Sequence, residues 1–172
     1  MNERFRVYTS TDIMGVELGG ALKNIIALAA GIVDGLGYGD NTMAALMTRG
    51  LDEMATLAVA RGGTRETLAG LTGLGDLIVT CTSKHSRNRR AGQLIGQGYT
   101  VEDAMEKVGA VVEGYYATAA AVKLARPTGI SMPITEELYR VLYEGKCPQA
   151  VLKDLMSRSR RAEYGEWVLS DR

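Results

Sequence analysis

Apolar positions along this chain recur at helical spacing and almost nowhere alternate as strand positions would. From about residue 13 to 36 they are nearly continuous, interrupted by glycines at 15, 19, 20, 31 and 35. That pattern predicts one long helix, buried on most sides, whose glycines admit close neighbours. Thr9-Ser-Thr-Asp12 offers it N-caps. After the loop Gly35-Leu-Gly-Tyr-Gly-Asp-Asn41, a cap at Asn41 or Thr42 opens a second helix running to about Arg61. Thr64, with Thr67 close by, opens a short third helix that the glycine-rich stretch 70–75 breaks. Further helices are predicted over 76–80, 87–96, 101–107 and 113–125. Thr100 caps the third of these, with Asp103 as its acidic partner. Pro133 and Pro148 open the last two, where proline is tolerated in a first turn, and the final one should end near Arg161.

The one strand-like run is residues 4–8, Arg-Phe-Arg-Val-Tyr. The expected architecture is therefore all-α: a compact multi-helix domain over 13–172, with an N-terminal strand-like arm over 1–12 and a polar tail after about 162. Composition agrees. Of 172 residues, 46% are apolar and only 6% aromatic, which suits tightly packed helices better than a sandwich of β-strands. Folding at this length should bury about 70% of the unfolded surface.

Twenty basic and twenty acidic residues cancel, which argues against a general nucleic-acid or membrane-surface binder. No uninterrupted apolar run reaches the ~18 residues of a membrane span, and the first residues lack the apolar core of a signal peptide. Cys81 and Cys147 have no metal-ligand spacing and read as free thiols of a reducing cytosol. No P-loop, His-Glu-x-x-His or Gly-x-Ser-x-Gly occurs, nor any strand followed by Gly-x-Gly-x-x-Gly. Gly35-Leu-Gly-Tyr-Gly follows a helix and reads as a loop, not a nucleotide cradle.

Three places carry candidate chemistry. Lys23 is the only cation between Arg6 and Arg49, and its helical neighbours are Gly19, Gly20, Ile26 and Ala27. An ammonium among small, apolar residues either snorkels to water or exchanges a proton with a substrate; its mid-helix, glycine-lined place favours the second. Asp76, in Gly73-Leu-Gly-Asp-Leu77, is a lone acid that fits either a helix N-cap or a residue facing a site. The run Lys84-His-Ser-Arg-Asn-Arg-Arg90 is either a solvated turn or an anion site. In the second case Ser86, Arg87 and Asn88 stand at a helix start, whose N–H groups and dipole favour phosphate. Nucleic acid is disfavoured there because no aromatics interleave the run. His85 reads as solvated, the pairs Tyr115/Tyr116 and Tyr139/Tyr143 as packing residues, and Glu113 as a cap; no metal cluster is expected.

Taken together, six segments resemble the C-terminal domain of bacterial NAD(P)-dependent glycerol-3-phosphate dehydrogenase. They are Gly15-Val-Glu-Leu-Gly-Gly-Ala-Leu-Lys-Asn24, Gly73-Leu-Gly-Asp-Leu77, Thr80-Cys-Thr82, Ser86-Arg-Asn-Arg-Arg90, Val112-Glu-Gly114 and Met132-Pro-Ile-Thr-Glu136. The resemblance implies a helical domain of the 6-phosphogluconate-dehydrogenase C-terminal-domain type. Its partner would be its own N-terminal Rossmann domain, which is missing here; the arm looks like that domain's last strand. It implies interconversion of dihydroxyacetone phosphate and sn-glycerol 3-phosphate with NAD or NADP in glycerophospholipid synthesis, in the cytoplasm, with a homodimer as a candidate assembly and no nucleic-acid or membrane partner. Lys23 would be the general acid and base, with Asn24, Asp76 and Thr80 around it. Ser86, Arg87 and Asn88 would hold the substrate phosphate. Arg87, Val111 and Glu113 would meet the cofactor, most of which would lie in the other domain. The chain by itself is expected to fold without catalysing. The competing readings are the helical second domain of another hydroxy-compound dehydrogenase, and a non-enzymatic helical module that dimerises or binds anions.

Overall fold

In a computed structural model, residues 1–158 are described. Nine α-helices occupy them: α1 (Ile13–Gly35), α2 (Asp40–Ala60), α3 (Arg65–Ala69), α4 (Asp76–Thr82), α5 (Arg87–Gly96), α6 (Val101–Val108), α7 (Glu113–Ala125), α8 (Pro133–Glu144) and α9 (Pro148–Met156). The spine is α1, against which α2, α4, α5 and α7 all pack. Its Leu22, Ile25, Ile26 and Leu28 are buried in one core with Met54, Leu57, Leu68 and Leu77. Each such side chain contributes roughly 1.5–3 kcal/mol on leaving water.

Counting uninterrupted apolar residues understates α1. With 23 residues and a mean hydropathy of 1.6 over its most apolar 18, it is long and apolar enough to cross a membrane, Glu17, Lys23 and Asp34 notwithstanding. In the fold, 61% of its most apolar stretch is buried by the surrounding helices, the condition of a core helix.

The crossing of α1 and α5 is made by glycines on both sides. A methyl group at Gly31 would strike the carbonyl of Arg89, and one at Gly35 that of Gln93. Reciprocally, Gly92 faces the carbonyl of Leu28 and Gly96 that of Ile32. The two backbones therefore touch over a full turn, which any larger residue would prevent. Arg89 pairs with Asp34 at 2.8 Å and Gln93 bonds the same carboxylate at 3.0 Å, locking the register.

Several helix starts follow the expected caps. Asp12 accepts from Gly15 N at 2.8 Å and also from Thr64 N and Oγ1 at 2.9 and 3.0 Å. One carboxylate thus joins the starts of α1 and α3. The bond from Gly15 leads, with the Thr67 hydroxyl and the two bonds from Thr64 behind it, in holding the Asp12 pKa down to about 2. Thr64, Ser86 and Thr100 cap α3, α5 and α6 through their hydroxyls. At α2 the expectation fails: the helix begins at Asp40 from Gly39, whose carbonyl accepts from Thr42 N and Met43 N, so neither Asn41 nor Thr42 is the cap. At α8 the cap comes from another helix. Buried Glu53 of α2 accepts from Ile134 N at 2.6 Å and from Thr135 N and Oγ1 at 3.1 and 3.0 Å.

Two expectations change in kind. The glycine-rich stretch does not simply break the chain; Leu71–Gly75 forms a single π-helical turn, closed by Gly75 N to Gly70 O at 3.1 Å, that delivers the chain into α4. Gly73 permits it, because a side chain there would overlap the backbone of Leu68. The arm forms no strand among the described residues. Its one β feature is an isolated bridge between Asn2 and Phe5, since a single extended segment has no ladder without a partner. The last helix stops at Met156, short of the expected end near Arg161; the polar tail after 162 lies outside the described residues.

Candidate active site

Lys23 and Asn24 lie mid-way along α1, one turn after Gly20. A methyl group added at Gly20 would meet nothing within 4 Å, so this face of α1 opens onto free space. The Lys23 side chain is 19% exposed and its ammonium forms an ion pair with Asp76. The ammonium is therefore not left among small and apolar neighbours alone, as its helix suggested; α4 brings it a counter-charge.

The capping alternative for Asp76 fails. Gly75 precedes α4 in helical conformation and Asp76 is the first helical residue. Its carboxylate serves Lys23 and accepts from Thr80 Oγ1 at 3.2 Å, while Thr80 also reaches the Asp76 carbonyl at 2.5 Å. Thr80 thus steadies the acid that steadies the lysine.

On the opposite wall stands the start of α5. Ser86 Oγ accepts from Arg89 N at 3.3 Å. Arg87, about half exposed, forms an ion pair with Glu113, the first residue of α7. Asn88 is only 4% exposed and its amide is fully engaged. It donates to Asn24 Oδ1 at 2.9 Å and to Glu113 at 3.5 Å, and accepts from Gly114 N at 2.7 Å. So Asn88, not Glu113, caps α7, and it ties that helix to α1 and α5. Gly114 allows the approach, since a side chain there would strike the Asn24 carbonyl.

These walls enclose a cleft of about 470 Å³, within the range of small-ligand sites. It is lined by Gly20, Lys23 and Asn24, by Val79, Thr80 and Ser83, by His85, Ser86, Arg87 and Asn88, and by Glu113. Seven predicted site residues therefore meet in one place, and Asp76 joins them through Lys23. Val111 does not line the cleft and is 60% exposed. The side chain of Asn88 is committed to its neighbours, so its offer to an anion is its backbone N–H at the helix start. The basic run divides. Arg87 faces the cleft, whereas Arg89 is half-buried against Asp34.

Sequence reasoning missed Val79, Ser83 and His85, all exposed or half-exposed around the turn between α4 and α5. His85 is exposed, as a solvated residue should be, but it lines the cleft. The signal for it is its place in the same polar turn as Ser86. Elsewhere, Cys81 is buried, with its thiol pushed up to about 12 by that burial, and Cys147 is exposed.

Chemically, the cleft offers an ammonium, a guanidinium, the first amides of a helix, hydroxyls and an amide group. Such a set can hold a small anion by one end and move a proton at the other.

Known proteins resemble this chain over nearly its whole length. Residues 12–153 match the family model described as the C-terminus of NAD-dependent glycerol-3-phosphate dehydrogenase. A glycerol-3-phosphate dehydrogenase [NAD(P)+] of Agathobacter rectalis is 59% identical over 169 residues, covering 97% of this chain and 50% of its own length. That of Moorella thermoacetica is 61% identical over 169 residues, with the same coverage. Among solved structures, the glycerol-3-phosphate dehydrogenase of Coxiella burnetii superimposes with a TM-score of 0.89 at 47% identity, over 92% of this chain and 49% of the other. The chain spans about half the length of the relatives it matches. By this match, and by the order of its helices and motifs, the chain belongs to the family of C-terminal domains of NAD-dependent glycerol-3-phosphate dehydrogenase.

Proposed function

We propose that this chain is the substrate half of an enzyme that interconverts dihydroxyacetone phosphate and sn-glycerol 3-phosphate. The observation that carries the reading is the Lys23–Asp76 pair facing the start of α5 across one cleft. A nicotinamide cofactor, NAD or NADP, supplies the hydride and is held mainly by an N-terminal dinucleotide-binding domain. The residues here suit its near end. Half-exposed Arg87 is a donor for phosphate, and Glu113 is an acceptor for hydroxyls. Val111 lies two residues before Glu113.

This chain's own residues bind the substrate and move the proton. Arg87, the Ser86 hydroxyl and the first amides of α5 hold the phosphate, with Asn88 keeping α5, α1 and α7 in register. The carbonyl then lies toward Lys23, whose Nζ gives its proton to the developing alkoxide. In reverse the neutral amine takes the proton of the glycerol hydroxyl. Asp76, held by Thr80, aims the lysine; Asn24 completes the wall; Gly20 leaves the substrate room. A cytoplasmic homodimer serving glycerophospholipid synthesis is the setting that goes with this reading.

The test joins this chain to the N-terminal half of the Agathobacter rectalis relative. NAD(P)H oxidation with dihydroxyacetone phosphate should appear at ordinary enzyme rates, around 10 per second. A folded chimera that oxidises NAD(P)H with some other hydroxy-compound precursor, and not with this one, would overturn it.

A further inference from the structure

We propose that His85 is an additional anion-binding residue of this cleft, taking up a proton from solvent as a doubly charged phosphate enters. The proposal rests on the reading of the cleft as a phosphate site. Its ground is a charge count. The charged groups around the cleft are Lys23 on α1, Asp76 on α4, Arg87 on α5 and Glu113 on α7. Each cation is already matched by a carboxylate, so the side chains sum to zero. A phosphate ester near neutral pH carries up to two negative charges. The start of α5 returns only about half a charge. Among the remaining described residues of the lining, Gly20, Asn24, Val79, Thr80, Ser83, Ser86 and Asn88 hold no charge at any ordinary pH, and His85 is left.

Imidazole is the side chain whose charge changes between pH 5 and 8. His85 lies two residues before Arg87 in the turn that leads into α5, and its backbone N–H bonds Ser83 Oγ at 3.1 Å. The turn is therefore shaped, while His85 itself is exposed and lines the cleft. Lys84 is its exposed chain neighbour and does not line the cleft. An anion arriving at Ser86 and Arg87 favours the imidazolium, and by linkage the imidazolium favours the anion. Affinity should then rise as the pH falls.

Sulfate is the probe, because it stays doubly charged from pH 6 to 8. Titrate the 172-residue chain with sulfate at constant ionic strength, following amide and imidazole signals by NMR. The expected result is shifts at 86–88, movement of the His85 ring signals toward the imidazolium position at pH 7, and affinity several-fold higher at pH 6 than at pH 8, up to roughly tenfold. His85→Gln should bind at 86–88 without that pH dependence, and His85→Lys should bind tightly at both pH values. Binding at 86–88 with the same pH dependence in His85→Gln overturns the proposal and leaves the phosphate site standing. Absence of shifts at 86–88 at tens of millimolar sulfate overturns both.

Discussion

At the scale of single residues, two groups carry predictions of opposite kind. In the chimera with a relative's N-terminal half, Lys23→Met removes the proposed proton donor while keeping the side chain's length and its apolar contacts. The rate should fall 10²–10⁴-fold, about 3–5 kcal/mol of barrier, with the helical signal by circular dichroism unchanged. A variant with the parent's turnover would exclude Lys23 from the chemistry. Glu53 is a structural group with a pH consequence. Burial pushes its pKa from 4.5 up to about 7, against the lowering effect of the bonds from Ile134 and Thr135. A group raised in the folded state contributes stability that is complete below pH 4.5 and is lost as the pH climbs to about 7. The amount is on the order of 3 kcal/mol. Thermal melts of the chain should therefore lose ground between pH 5 and 7.5 relative to those of Glu53→Gln, whose amide does not titrate. Parallel profiles for the two proteins would refute this reading of the α8 cap.

At the scale of elements, glycines separate packing from opening. Gly92 lies inside α5, where alanine would gain about 1 kcal/mol of helix propensity. The backbone of α1 blocks it, so Gly92→Ala must push α1 and α5 apart, and overpacking of that kind costs about 1–3 kcal/mol. A lower denaturation midpoint is expected. Gly20→Ala meets no neighbour, so it should raise the midpoint while narrowing the cleft and weakening sulfate binding. The helices themselves were legible in the sequence because their signals are local. Caps at Thr64, Ser86 and Thr100, prolines at 133 and 148, and the long apolar run each act within one turn. The capping of α7 by Asn88 and of α8 by Glu53 was not legible, since each joins residues distant in sequence. The same limit applied to the site. Lys23, Asp76 and the 86–88 run stood out singly, whereas the Arg87–Glu113 pair, Asn24's bond to Asn88 and the place of His85 are products of tertiary packing. As site residues, Asn24, Thr80, Val111 and Glu113 came from the family resemblance alone.

At the scale of the whole molecule, the division of labour between this chain and the rest of its longer relatives can be measured. The cleft holds groups suited to the proposed anion binding and proton transfer, but the described residues include no glycine-rich strand-to-helix turn that would cradle a dinucleotide. Leu74, Ile78 and Val79, on α4 and the turn before it, are exposed, and Val79 also lines the cleft. On the proposed reading chemistry needs both halves at once, and linkage decides how often they meet. Two domains on one chain see each other at roughly millimolar effective concentration, whereas separate halves meet at whatever concentration is added. Three assays with NAD(P)H and dihydroxyacetone phosphate follow. The chain alone should fold and show no turnover. An equimolar mixture with a relative's separately produced N-terminal half, at micromolar concentration, should turn over far more slowly than the covalent chimera, with a rate that climbs as both halves are concentrated. The chimera should turn over independently of dilution. Turnover by the chain alone would mean that these helices hold the cofactor unaided, and the division drawn between the halves would be wrong.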